Sequence, residues 1–363
     1  MKILIIIYNL KIGGSEKVLI NLANIFSLNH KIDFVILKND NEFKEIISKE
    51  INLIKLNLKR KLNSFFKVYK IFKNSRTDII LSNLTHINLL CLFVNFFLFN
   101  KKKIIIRETT NISEKFQINE KKIKNTFIKF IIKFFYNSSF KIIVMGEEMK
   151  KDLINNFSIN KKKINIIYNP FNLKEIITSA NENILDEHKF VLNPYIIAVG
   201  RLVYVKGFDF LINAFDSIKN KTKLNLVIIG DGPEKISLSK LIKQKNLEER
   251  VFLLGQRSNP YKYIQKAKIF TLTSRREGFP NSLIEALILN KPVLSVNVKN
   301  GPKEILTLLN LDGLVNEYDE IFFGKEILNT IRKGYDKKID IKKLKFYFED
   351  KKIANQYLNT FSL

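Results

Sequence analysis

The sequence contains a single cysteine, Cys91, so no intrachain disulfide can form and a secreted scaffold held by such staples is excluded. Tryptophan is absent, and thirteen glycines and seven prolines are too few for a fibrous or low-complexity chain. No apolar run approaches the roughly 18 residues that a membrane span requires. The longest, Leu89 to Phe99, is interrupted by Asn95. Met1 to Tyr8 is too short for a signal h-region and lacks a small-residue cleavage site before the polar stretch that follows. A soluble or peripheral protein of the reducing cytoplasm is therefore expected. Three scattered histidines and one cysteine give no zinc-ligand spacing, and no D-x-D occurs, so no metal is expected. Neither G-x-G-x-x-G nor G-x-x-x-x-G-K-[ST] is present, which removes the main support for a nicotinamide enzyme or a P-loop NTPase.

Acidic residues are also scarce. Against 35 of them stand 62 Lys and Arg, a net charge of +27. Residues 1–168 hold 31 basic and 13 acidic side chains (+18), and the remainder holds 31 and 22 (+9), so the first half is the basic half. An anionic partner such as nucleic acid, phospholipid or a phosphorylated substrate would account for this. Compositional drift in a chain rich in Lys, Ile, Asn and Phe would also account for the total, though less well for the asymmetry.

What is present is a rhythm. The 363 residues suffice for two domains. Short apolar runs at Lys2–Tyr8, Lys31–Leu37, Ile79–Ser82, Lys103–Ile106 and Lys141–Val144 read as buried strands. Helical periodicity marks Ser15–Ser27, Phe65–Lys73, Asn88–Phe99 and Lys122–Tyr136 between them. A second series has strands at Tyr195–Val199, Leu224–Ile229, Val251–Leu254, Ile269–Thr273 and Pro292–Val296, with helices at Phe208–Lys219, Lys235–Lys245, Tyr261–Lys266 and Ser282–Leu289. Such alternation predicts α/β architecture: two doubly wound, Rossmann-like domains facing across a cleft. The predicted divisions are a first domain at 1–168, a linker at 169–194 and a second domain at 195–340, with a C-terminal helical segment at 341–363.

Ligands of such sheets bind at the carboxyl ends of the strands, so the turns there carry the functional reading. Gly13-Gly14 precedes a helix and lets backbone approach an anion, or is a plain strand-to-helix turn. Gly200-Arg201 closes one strand, and Lys206-Gly207 lies just beyond it; a guanidinium and an ammonium at a helix start suit a diphosphate. Gly230-Asp231-Gly232-Pro233 closes the next strand and is alternatively an ordinary turn. The most informative stretch is Ser274 to Leu289, where Glu277-Gly278-Phe279-Pro280-Asn281 leads into a helix containing Glu285. Ionised carboxylates accept several charge-assisted hydrogen bonds and so bind sugar hydroxyls well. Against that, Ser282 to Glu285 has capping-box spacing, so Glu285 could merely tie down its helix, and Glu277 could be a solvated loop acid.

Taken together, EGFPNSLIEAL followed by KPVLSVNVKNGPKEIL resembles the retaining Leloir glycosyltransferases of family 4, which have the GT-B fold. GGSEKVLINLA, YNP, GRLVYVKGFDFLINAF, GDGPE and FLLGQ occur in that family's order, so the resemblance covers nearly the whole chain. It is nearest to the subgroup that extends polyprenyl-diphosphate-linked glycans or lipopolysaccharide. The resemblance implies that Glu285 holds the nucleotide ribose and that Glu277 meets the donor sugar beside Gly278, Phe279, Pro280 and Asn281. It also implies that Arg201 and Lys206 neutralise the departing diphosphate. Gly14 and Gly230 would line the donor site, and the turn with Gln256 and Arg257 would sit against the base. Where many relatives have a His after the fourth strand, this chain has Arg107-Glu108-Thr109, so Glu108 and Thr109 join Gly13 and His86 as acceptor-side candidates.

The implied partners are a UDP-sugar donor and a lipid-linked glycan acceptor at the anionic cytoplasmic face of the inner membrane, with no cofactor and no nucleic acid. The C-terminal segment is expected to pack back on the first domain. In helix Lys122–Tyr136, Ile123, Phe127, Phe130, Ile131 and Phe134 share one face and Lys122, Lys129 and Lys133 the opposite one. That helix either buries its aromatic side and solvates its lysines, or turns the lysines to anionic lipid. Two rival readings are a basic nucleic-acid-binding protein, for which no recognition signature is present, and a sugar-nucleotide scaffold without turnover.

Overall fold

The computed structural model describes all residues except 11–12, 39–45, 59–61, 118–121, 185–192, 299, 334–338 and 363. The chain forms two units, one comprising Met1–Phe171 with Tyr347–Leu363 and the other Asn172–Phe346.

The first unit is built on a seven-stranded, wholly parallel sheet of β1 (Lys2–Ile7), β2 (Lys31–Ile36), β3 (Asn52–Lys55), β4 (Ile79–Asn83), β5 (Lys103–Arg107), β6 (Lys141–Val144) and β7 (Ile164–Ile166), in the order β3-β2-β1-β4-β5-β6-β7. β1 is apolar and buried from Ile3 to Ile7 because a central parallel strand is covered on both faces. Helix Gly14–Ser27 turns Val18, Leu19, Leu22, Ala23 and Phe26 toward that core. The chain end also contributes: Ile353, Ala354, Tyr357 and Phe361 of helix Asp350–Ser362 lie in the same cluster.

The second unit has six parallel strands, β8 (Tyr195–Val199), β9 (Asn225–Ile229), β10 (Val251–Leu253), β11 (Ile269–Leu272), β12 (Val293–Val296) and β13 (Leu314–Val315), in the order β10-β9-β8-β11-β12-β13. Leu211, Phe215, Phe323 and Ile327 from two helices pack with Ile196 and Leu226 of the sheet. In each unit the strand order reverses beside the first strand, between β1 and β4 and between β8 and β11. That is where a doubly wound sheet opens a crevice at its carboxyl edge.

Three expectations change. The 169–194 linker contains a helix, Leu173–Ala180, capped by Asn172 accepting from the Glu175 amide at 3.1 Å. Asn259 Nδ2 donates to Ser179 O at 2.7 Å and joins that helix to the second unit. The units therefore divide at Phe171, where the Phe171 amide donates to Phe348 O (2.8 Å) and the Asp350 amide to Phe171 O (3.1 Å). Helix Thr85–Phe96 starts three residues before the expected position because Leu84, at φ +73°, turns its carbonyl to accept from the amides of Ile87 and Asn88. Helix Lys122–Ser138 covers Ile132 and Tyr136 and leaves Phe127, Phe130 and Phe134 exposed together with Lys129 and Lys133, so the aromatic side is not the buried one and these lysines share the uncovered side with it instead of opposing it.

Candidate active site

At the reversal point of the second unit, the segment after β8 meets the turn after β11. Lys206 ends a short 3-10 turn (Tyr204–Lys206), and Gly207 follows at φ +64°. A Cβ at Gly207 would lie 2.1 Å from Thr273 O, so only glycine lets these two segments approach. Thr273 Oγ1 donates to Gly207 O at 3.0 Å across the same contact. The approach brings Lys206 Nζ to 2.6 Å from Glu277 Oε1, and Ser274 Oγ donates to the same oxygen at 2.5 Å. The Glu277 side chain is 6% exposed and that of Lys206 is 25% exposed, so the pair is shielded but reachable from one side. Arg275 braces the turn. Its guanidinium forks onto both Asp209 oxygens (2.8 and 2.7 Å), donates to Tyr204 O, and lies 4.0 Å from the Tyr204 ring centre. Burial alone would raise the Asp209 pKa, but the Arg275 hydrogen bonds outweigh it and hold the carboxyl below its ordinary value.

The neighbouring turns are linked through their backbones. The Gly200 amide donates to Ile229 O, the Leu202 amide to Asp231 O and the Gly230 amide to Gly255 O. Gly230 sits so close that a Cβ would fall 1.8 Å from Gly200 O. Arg201 and Gln256 are exposed on these turns and Arg257 is half-buried. Past Glu277, Gly278 and Pro280 are buried and Phe279 and Asn281 half-buried.

The capping-box alternative for Glu285 fails on register. Helix Asn281–Ile288 has Pro280 as its N-cap, with no side-chain capping bond, so Ser282 is its second residue and Glu285 its fifth. Half-buried Glu285 instead accepts from the Tyr261 hydroxyl at 3.3 Å. Burial, and after it the Glu285 charge, push the Tyr261 phenol well above its ordinary pKa, so it remains a donor at neutral pH.

In the first unit, Gly13 is the extended N-cap of helix Gly14–Ser27, Gly14 is exposed, and Ser15 Oγ accepts from Asn83 Nδ2 at 2.7 Å. His86 is exposed beside Tyr8, ring centres 5.4 Å apart, and Thr109 is half-buried. These positions share the carboxyl edge of β1, β4 and β5. Glu108 does not serve as an acceptor-side group. It is 1% exposed, and its carboxylate accepts from Asn88 Nδ2 (2.8 Å), Thr85 Oγ1 (3.1 Å) and the Tyr136 hydroxyl. Its neighbour Arg107, fully buried, donates to Asn83 Oδ1 (2.8 Å), Asn169 Oδ1 (2.5 Å) and the Tyr357 hydroxyl (3.1 Å). No local pattern marked Arg107 or Tyr136, because their partners are far away in sequence. Lys129 and Lys133 are exposed, while the Lys122 side chain lies outside the described residues. Among the described residues no group of three His, Cys, Asp or Glu is placed to hold a metal ion, and no helix is long and apolar enough to cross a membrane.

Two parallel α/β units, with a lysine–carboxylate pair at the reversal point of the second, define a glycosyltransferase of the GT-B class. Comparison with known proteins agrees. Residues 12–175 match the model of Glycosyltransferase Family 4, and residues 181–319 match that of Glycosyl transferases group 1. A Campylobacter jejuni N-acetylgalactosamine-N,N'-diacetylbacillosaminyl-diphospho-undecaprenol 4-alpha-N-acetylgalactosaminyltransferase is 34% identical over 352 residues, covering 93% of each chain. The Erwinia amylovora amylovoran biosynthesis glycosyltransferase AmsD is 27% identical, covering 85% of this chain and 84% of its own. Among solved structures, Anabaena Alr3699/HepE in complex with UDP-glucose superposes with a TM-score of 0.81 at 19% identity, covering 100% and 99% of the two chains. The chain belongs to glycosyltransferase family 4, and it is an enzyme of that class.

Proposed function

We propose that the protein is a retaining transferase that moves a hexose or N-acetylhexosamine from a UDP-sugar to a polyprenyl-diphosphate-linked oligosaccharide or lipopolysaccharide precursor. It would act as a peripheral protein on the cytoplasmic face of the inner membrane. The observation that carries this reading is the shielded Lys206–Glu277–Ser274 cluster at the reversal point of the second unit. Support for the acceptor class comes from the Campylobacter relative, whose name specifies a diphospho-undecaprenol-linked substrate.

In the reaction the bond between the anomeric carbon and the diphosphate oxygen breaks, and the acceptor hydroxyl oxygen bonds to that carbon on the same face. The hydroxyl proton leaves with the diphosphate. Negative charge grows on the leaving group, and Lys206 and Arg201 stabilise it where it forms. Among the described residues both side-chain contacts to Glu277 fall on Oε1, and Oε2 is the oxygen that would accept from donor-sugar hydroxyls beside the backbone of Gly278 and Phe279. Glu285 takes the ribose hydroxyls, and Gln256 and Arg257 meet the base. With fixed cations at the diphosphate, the transfer needs no metal.

The test is a screen of UDP-sugars against polyprenyl-diphosphate oligosaccharides, with and without EDTA, and the product linkage read by NMR. Transfer with an axial product bond from an axial donor, unaffected by EDTA, is expected. UDP-sugar binding with neither transfer nor hydrolysis would leave a non-catalytic scaffold. Salt-sensitive DNA binding without UDP binding would overturn the assignment.

A further inference from the structure

Three helices of the first unit, Leu62–Asn74, Thr85–Phe96 and Lys122–Ser138, carry phenylalanines outward. Phe96, Phe97, Phe99, Phe127, Phe130 and Phe134 are between 51% and 101% exposed. Phe96 joins Phe97 to Phe134, and Phe127 and Phe130 share the helix side of Phe134. Phe96 contacts Phe97, Phe134 and Phe135, and Phe65 reaches Phe93 and Phe97, with ring centres 5.5 to 6.3 Å apart in this set. A contiguous apolar surface of this kind is uncommon on a soluble protein and marks an interaction site.

The charges around it identify the partner. Lys129 and Lys133 are exposed on the same helix as Phe127, Phe130 and Phe134, and none of the three helices contains an acidic residue, whereas Lys67 of the first helix turns away to donate to Leu56 O. Lys101 Nζ lies 4.9 Å from the Phe96 ring centre. A second copy of the chain would set these lysines against their own equivalents, because a two-fold contact is self-complementary. Protein interfaces are also poor in lysine. A bilayer with anionic headgroups answers both features, since the rings enter the headgroup–acyl boundary and the ammonium groups stay at the phosphates.

We propose that this phenylalanine–lysine surface is the membrane-docking face of the protein, and that it inserts aromatic side chains into an anionic phospholipid bilayer rather than resting on it by charge alone. The inference deepens the reading of a lipid-linked acceptor, but it is tested separately from transfer.

The chain has no tryptophan, so Phe130→Trp supplies a single reporter. Its emission should shift to the blue with phosphatidylglycerol-containing vesicles and be quenched by lipids brominated on the acyl chain. Leu28→Trp is the control. Leu28 is 75% exposed at the end of helix Gly14–Ser27, whose main helical partner is Asp350–Ser362. It should show neither effect. Phe127→Ser/Phe130→Ser/Phe134→Ser should weaken vesicle binding at least about tenfold at high salt, where surface charge is screened. Lys129→Gln/Lys133→Gln should weaken it chiefly at low salt. UDP binding by both variants should match wild type, which separates loss of docking from loss of the donor site. Unchanged emission of the Phe130→Trp variant on anionic vesicles, equal response of the control, or lipid-independent dimerisation lost in the phenylalanine variant would overturn the proposal.

Discussion

Replacing Lys206 by Met separates what the lysine does for the fold from what it does for the reaction. The substitution keeps a long side chain and removes the ammonium. Among the described residues Glu277 Oε1 then keeps Ser274 as its only hydrogen-bond donor, in a site where its own side chain is 6% exposed. Hydrogen bonds to charged groups are worth about 1.5–3 kcal/mol, and stripping one partner from a fully buried ion pair costs about 3–5 kcal/mol. Lys206 is a quarter exposed, so water recovers part of that loss and the lower figure applies, about 2 kcal/mol. For a unit of the size of Asn172–Phe346, this corresponds to a drop in Tm of about 4–8 °C. Adding Glu277→Gln removes the orphaned charge while Ser274 keeps an acceptor, so the double variant should recover more than half of the loss. Turnover should not recover, because the double variant lacks both charges on which the proposed mechanism depends. Thermal melting without ligand, paired with UDP release from the donor, measures both quantities as a double-mutant cycle. If Lys206→Met melts within about 1 °C of wild type, or the double variant melts below it, the pair is not the electrostatic unit described.

Glu285→Gln should melt like wild type, since Glu285 does not cap its own helix and Gln can still accept from the Tyr261 hydroxyl, yet bind UDP at least about tenfold more weakly by calorimetry; wild-type affinity would remove Glu285 from the donor site. Arg107→Lys should lower unfolding stability by about 2 kcal/mol or more, because one ammonium cannot span Asn83, Asn169 and Tyr357 together. A urea midpoint equal to wild type would contradict that. Asp209 has a depressed folded-state pKa, so its contribution is present above the unfolded value near 3.9 and is lost as pH falls through the folded value. Asp209→Asn should therefore lower Tm at pH 7 and converge with wild type toward pH 3, and a gap that stays constant with pH would refute the Arg275 linkage.

The fold was legible wherever burial on both faces forces a long apolar run, as at β1, β4, β5, β8 and β9. β3, β7 and β13 left no such mark. They have four, three and two residues, and they lie at sheet edges, where half the side chains see solvent. Periodicity showed which residues of helix Lys122–Ser138 share a side but not which side is covered. That was decided by Tyr136, whose hydroxyl reaches Glu108, 28 residues away. In the site, Lys206 and Glu277 were legible as chemistry, but a contact across 71 residues was not. The Glu285 ambiguity was one of register. Spacing permits Ser282 as a cap, and only the observed start at Asn281 removes that possibility. Arg107 left no trace because its partners lie 24, 62 and 250 residues away.

The excess of positive charge can now be divided between drift and function. A bias toward Lys, Asn, Ile and Phe adds these residues without regard to their neighbours, and some of the lysines in both units meet acids, as Lys2 meets Asp33 in the first. Lys219 and Lys245 share Asp216 at 2.8 and 2.9 Å, and Lys235 approaches Asp231. Such pairs contribute little to stability but offset the charge of the lysines that make them. In helices Leu62–Asn74, Thr85–Phe96 and Lys122–Ser138 the same bias would supply lysines, yet it does not remove every acid from 42 residues (13, 12 and 17). Nor does it turn phenylalanines outward, since exposed aromatic clusters promote aggregation and are ordinarily avoided. The absence of acid and the exposure of rings coincide on one set of packed helices. A surface that inserts rings into anionic lipid requires both, and composition by itself supplies neither.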